Sequence, residues 1–213
     1  MDDLRERLRH VRWLGGGSGA GKSTIAERLG DSFGLRVYGT DEAIQRHVPR
    51  STAAQHPLLH EFLAMDMDER WLNRSPQVMV ETFHGFRGEA FELIVEDLLA
   101  MPEEPLILVE GFRLLPRLVA PLLSGPNQAA WLIPTPDFRR RAFEARGSTW
   151  VIPERTTDPV RALANLLERD RLFTEQVAND AAAQALTMID VDGGLDIDAL
   201  TDRVGEVLGL TRQ

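Results

Sequence analysis

Three features of the sequence predict an α/β fold with a parallel sheet. Short apolar runs alternate along the chain with longer amphipathic stretches of helical period. One run, PLILVEG at 105–111, is apolar without alternation, the pattern of a strand covered on both faces. The 213 residues carry no repeat, low-complexity tract or linker, which fits one large domain spanning residues 1–213.

VRWLG at 11–15 reads as the first strand, and STIAERLGDSF at 23–33 as the helix behind it. LRVYG at 35–39 is the second strand and runs into TDEAI. About 65 residues then precede the third strand at 105–111, too many for a simple crossover. They read as helices over roughly 58–72 and 77–100, broken at NRSP, with Gly85 and Gly88 weakening the second. AAWLIP at 129–134 and ALTMIDVD at 185–192 complete five strands. Between these two lie a helix opening at TPDF, an irregular arginine-bearing segment, and a long helix with Asp158 as N-cap and Pro159 at its first position. DIDALTDRVGEVLGL at 196–210 is the final helix.

A net charge of −9 argues against a nucleic-acid or anionic-membrane binder. The absence of cysteine excludes disulfides, thiolate zinc sites and cysteine nucleophiles. The charged start MDDLRERLRH lacks a signal-peptide core, and no run of about 18 apolar residues exists to span a bilayer. A cytoplasmic protein with neither membrane nor nucleic acid as partner is the expectation.

The stretch GGSGAGKS, Gly16 to Ser23, fits G-x-x-x-x-G-K-[ST] between a strand and a helix, the context that the pattern requires. Glycines let the backbone turn its N–H groups inward around phosphate oxygens, and the helix behind adds the positive end of its dipole. The pattern assigns phosphate binding to Gly16, Gly17, Ser18, Gly19, Ala20, Gly21, Lys22, Ser23 and Thr24. Lys22, the single lysine, reaches the β- and γ-phosphates, and the Ser23 hydroxyl coordinates Mg²⁺.

On these residues the chain resembles the small P-loop kinases of the adenylate kinase-like class, such as chloramphenicol phosphotransferase and shikimate kinase. The likeness covers most of the chain in layout, with the phosphate loop as its specific match. It implies a three-layer P-loop NTPase fold with a five-stranded parallel sheet in order 2-3-1-4-5. It also implies a helical substrate-binding insertion at about 42–104, a lid at about 135–158, and ATP and Mg²⁺ as cofactors. An aspartate after the second strand of such kinases meets the acceptor hydroxyl, which implies that role for Asp41; its alternative is to cap a helix beginning at Glu42. Glu110 ends the third strand in the place of a Walker B acid. A glutamate there, where aspartate is usual, implies a metal contact made through water. RRRAFEARG resembles a lid entrance: among Arg139, Arg140, Arg141 and Arg146, the last is the catalytic candidate, with Arg155, Arg169 and Arg171 in reserve. The pattern departs from the family in having Ser148, Thr149 and Trp150, not a second basic residue, after the Arg-Gly.

On the acceptor side, ETFHGFRGEAFE interleaves polar groups with Phe83, Phe86 and Phe91. His84 and Arg87 are its substrate candidates, and Arg113 beyond Glu110 is a third. The expected function is therefore ATP-dependent phosphoryl transfer to a hydroxyl of a small molecule. A nucleoside monophosphate kinase and a nucleotide-binding regulator without turnover are the alternatives. A switch GTPase is excluded, because its Asn/Thr-Lys-x-Asp motif needs a second lysine.

Overall fold

A computed structural model describes residues 2–146 and 151–210. Its strands are β1 (Val11–Gly16), β2 (Arg36–Gly39), β3 (Ile107–Glu110), β4 (Ala129–Pro134) and β5 (Met188–Val191). All pair in parallel, in the order β2-β3-β1-β4-β5. This is the order expected above. The helices are α1 (Asp2–Arg7), α2 (Lys22–Phe33), α3 (Thr40–His47), α4 (Pro57–Ala64), α5 (Met67–Trp71), α6 (Pro76–Thr82), α7 (His84–Arg87), α8 (Phe91–Ala100), α9 (Pro116–Val119), α10 (Pro136–Arg146), α11 (Val151–Glu154), α12 (Pro159–Ala183) and α13 (Ile197–Val207).

Strand alternation divides the core in two. Val11 and Trp13 of β1 join Phe86, Ile94 and Phe173 on one face, while Leu14 joins Ile25, Leu29 and Val204 of α2 and α13 on the other. Parallel pairing also fixes the site. Leu14, Glu110 and Gly39 stand side by side across β1, β3 and β2, so the chain leaves these strands at one carboxyl edge.

The helical insertion is more broken than its periodicity suggests. The expected helix at 58–72 divides at Asp66, whose side chain forms a capping box with Glu69 at the start of α5. The expected helix at 77–100 becomes α6, α7 and α8, because Phe83 is extended and Gly88 and Ala90 take left-handed conformations. The long helix keeps its expected start: Asp158 accepts from the Arg161 amide, with Pro159 in the first turn. Among the described residues no helix is long and apolar enough to cross a membrane.

Candidate functional site

The Gly16–Ser23 loop is held by close contact with β4 and α12. At Gly16, φ is +123°, and an added Cβ would lie 2.1 Å from the Leu132 carbonyl oxygen. At Gly17 it would lie 2.5 Å from Thr174 Oγ1. The N-cap of α2 is Gly21, which has no side chain to cap it, and the first turn of the helix carries no acidic residue. Its leading N–H groups and dipole therefore favour an anion. Lys22 folds back over the loop, and Nζ donates to the Gly17 carbonyl at 2.8 Å.

Beside the loop, Ser23 Oγ donates to Glu110 Oε1 at 3.1 Å. Both are hard oxygen ligands of the kind Mg²⁺ takes together with phosphate oxygens. Among the described residues no group of three or more His, Cys, Asp or Glu could hold a metal ion. Burial raises the Glu110 carboxyl above the usual range, Lys22 opposes this, and Asp41 adds repulsion.

Asp41 stands in the first turn of α3, which begins at Thr40 with Gly39 as its N-cap. The capping alternative therefore fails: the helix starts before Asp41, whose carboxylate accepts only a long 3.5 Å bond from the Thr40 hydroxyl. Gly111 makes this arrangement possible, since a Cβ there would lie 1.8 Å from Thr40 Oγ1. Solvent reaches Asp41, yet the surrounding protein is dense enough that desolvation pushes its carboxyl up, against the pull of Lys22 and Arg113.

Two buried arginines brace this edge. Arg139, 2% exposed, donates to the Ser18 carbonyl at 3.3 Å and to Thr174 Oγ1 at 2.6 Å, tying the loop to α12. Arg113, also 2% exposed, donates to the Thr40 carbonyl at 3.2 Å and the Ala90 carbonyl at 3.0 Å, and contacts His47 Nδ1 at 3.2 Å. A guanidinium only donates, so His47 Nδ1 accepts and its Nε2–H faces Asp97 Oδ2 at 3.0 Å. Burial, with Arg113 nearby, lowers the His47 pKa, consistent with this neutral form. Tyr38 and Arg50 complete the shell of Asp97, at 2.7 Å and 2.5 Å. Burial raises the Asp97 carboxyl, but these hydrogen bonds outweigh it and hold it at about 2.

The expected substrate contacts separate accordingly. The expectation that Arg113 touches a substrate is corrected: its guanidinium is enclosed and positions Thr40, the residue before Asp41. His84 is 5% exposed, between Phe62 and Phe83, with ring centroids at 5.7 Å and 4.6 Å. Burial and then Arg113 push its pKa down to about 4, so it is a neutral member of an aromatic cluster. Its buried Nδ1 has no hydrogen-bond partner among the described residues. Arg87 is exposed at the end of α7. The Arg146 side chain lies outside the described residues, as do residues 147–150. Of the reserve arginines, Arg169 is buried against Asp170 at 2.6 Å and lies over the rings of Trp71, Phe83 and Phe86. Arg171 pairs with Glu168 and Glu175 on the helix surface.

Sequence reasoning missed Thr174, Asp170, His47 and Asp97 as parts of this edge. A signal existed for the first two: polar residues interrupt the buried stripe Ala162, Leu166, Phe173, Val177 and Ala181 of α12. No family model and no curated protein matches the sequence. Among solved structures the chain is similar to an uncharacterized protein from Eubacterium ventriosum ATCC 27560, at 13% identity and a TM-score of 0.45, covering 93% of this chain and 97% of that one.

Proposed function

We propose that the protein is an ATP-dependent P-loop kinase of the adenylate kinase-like class, which transfers the γ-phosphoryl group to a hydroxyl of a small molecule. The observation that carries this reading is one edge holding an uncapped helix start, the Lys22 ammonium on the loop, Ser23 at 3.1 Å from Glu110, and Asp41 beside them. Lys22 would exchange the Gly17 carbonyl for β- and γ-phosphate oxygens. Ser23, with Glu110 behind it, would hold Mg²⁺, which neutralises phosphate charge when bound with the nucleotide.

Asp41 accepts the proton of the acceptor hydroxyl as its oxygen bonds to the γ-phosphorus and the bond to the ADP oxygen breaks. The base must be ionised, and desolvation by the surrounding protein raises its carboxyl even though solvent reaches it. Turnover therefore falls as pH drops through a value above the usual carboxylate range. By the family likeness, an arginine from the segment following β4 would neutralise the transferred group.

The test is ATP consumption over nucleosides, sugars, hydroxy acids and aminoglycosides, with wild type and Asp41→Asn. Acceptor-dependent turnover should fall by about 10²–10⁴ in the variant, with nucleotide affinity retained. Unchanged turnover removes Asp41 as base. Nucleotide binding without turnover on any acceptor favours the regulatory alternative.

A further inference from the structure

We propose that Arg139 and Thr174 are positioning residues of the nucleotide site, which hold the Ser18 carbonyl toward α12 and so aim the Gly19 amide at the phosphates. This rests on the nucleotide-binding part of the reading above and is independent of the acceptor. Arg139 stands apart from its two arginine neighbours. Arg140 and Arg141 are exposed, and Arg141 donates to the Asp192 carbonyl at 3.1 Å, whereas Arg139 turns inward from the start of α10 and is buried. Its Nε donates to the Ser18 carbonyl at 3.3 Å and its Nη2 to Thr174 Oγ1 at 2.6 Å. Thr174 is buried too, and its hydroxyl donates to the Asp170 carbonyl at 2.7 Å, so toward Arg139 it only accepts. The guanidinium thus bridges a loop carbonyl and α12 with fixed polarity.

Holding a carbonyl sets an amide direction because the peptide is planar. The Ser18–Gly19 peptide is trans, so the Gly19 N–H points opposite to the Ser18 oxygen. That oxygen faces the enclosed side, where Arg139 and Thr174 are buried. The N–H therefore faces the other side of a half-buried stretch of loop, and among the described residues it has no hydrogen-bond partner. Gly19 takes φ +78°, and a glycine at this joint leaves the peptide plane free to turn. A turned plane would present the carbonyl oxygen, with its partial negative charge, to the anion in place of a donor. The Arg139 charge opposes that turn, because it favours the oxygen where it stands. α12 backs the preceding residue as well, since an added Cβ at Gly17 would lie 2.5 Å from the same Thr174 hydroxyl.

The experiment measures the ATP Kd by titration calorimetry, the melting temperature and, with any acceptor that turns over, KM for each substrate. Arg139→Met should raise the ATP Kd about 10–100-fold, the effect of losing one amide contact to a charged oxygen. Arg139→Lys should recover part of that loss, since an ammonium cannot reproduce the fork. Thr174→Val should raise the Kd about fivefold, while Thr174→Ser should match wild type. KM for ATP should rise with these Kd values and KM for the acceptor should hold. Should Arg139→Met fail to fold, the Thr174→Val and Thr174→Ser pair decides. An unchanged Kd in folded Arg139→Met or in Thr174→Val overturns the positioning roles and leaves nucleotide binding standing. So does an equal rise in Thr174→Ser and Thr174→Val, or an equal rise in the two KM values. No ATP binding by wild type overturns the nucleotide reading, and this inference with it.

Discussion

The loop at Gly16–Ser23 and the ring-lined helical insertion serve the same sheet edge but are built from different material. The loop is backbone: eight contiguous residues whose shape depends on Gly16 and Gly17, which have no room for a side chain where they pack on β4 and α12. The insertion is side chains: Phe62, Trp71, Phe83 and Phe86 come from separate helices and turns and meet Phe112 and Phe173 from elsewhere in the chain. A backbone cradle fails at the first added atom, whereas a cluster of rings repacks. Tolerance to substitution should therefore differ sharply between the two.

The largest effect should come from the loop. Gly16→Ala places a methyl 2.1 Å from a strand carbonyl at φ +123°. It should cost about 4 kcal/mol or abolish folding, read by chemical denaturation. Gly125→Ala, where an added Cβ would meet no non-neighbouring atom of the described residues within 4 Å and φ is extended, is the control and should be close to neutral. On the ring side, Phe62→Leu should cost only about 1 kcal/mol. Equal costs at Gly16 and Phe62 would erase the contrast between backbone-built and side-chain-built halves.

Arg113→Met comes next, because Arg113 joins the two regions through the start of α3. It leaves the Thr40 and Ala90 carbonyls and His47 Nδ1 without their donor, and about 3 kcal/mol of destabilisation is expected. Lysine should rescue only part, since a point donor cannot reproduce the planar fork. Under the kinase reading, kcat of the surviving folded fraction should fall while nucleotide affinity holds, separating placement of Asp41 from the loop. Asp97→Asn should be smaller, about 2 kcal/mol at neutral pH, because the carboxyl is held at about 2 in the folded protein. That contribution is present above the unfolded carboxylate value and is lost as pH falls through about 2. The gap between wild type and variant should therefore close on acidification. A gap independent of pH would mean that the carboxylate charge is not what Asp97 contributes.

The same contrast explains what the sequence disclosed. All five strands were legible because each is a short apolar run bounded by breakers, although β3 and β5 are shorter than the runs that announced them. Lys22, Ser23, Asp41 and Glu110 were legible because they sit in a contiguous motif or at strand ends, where topology alone places them. The breaks between α6, α7 and α8 were less so, since helical periodicity continues through Phe83 and Ala90 while the backbone does not. Arg139 and Arg113 were visible as arginines but not as braces. Their burial depends on Thr174, 35 residues away, and on Thr40, 73 residues away. An arginine's own position in the chain says nothing about which carbonyl it will find.

The smallest effect concerns the seam between insertion and α12. Asp68, in α5, accepts from both the amide and the hydroxyl of Thr157, at 2.8 Å and 2.5 Å, just before the Asp158 cap. These bonds lower the Asp68 pKa, yet solvent surrounds the pair, so global stability should barely respond. The response should be local. The same seam is held by Asn165, which donates to the Trp71 and Leu72 carbonyls one turn further along, so Asp68→Ala opens one end only. Amide exchange at Thr157 should accelerate about tenfold while Asn165 and the strands stay protected. Under the kinase reading, KM for the acceptor should rise with kcat unchanged, because the insertion is loosened relative to α12 and the Gly16–Ser23 loop is not. A change in nucleotide affinity instead would mean that the two halves are mechanically one, and the division between backbone cradle and side-chain wall would have to be given up.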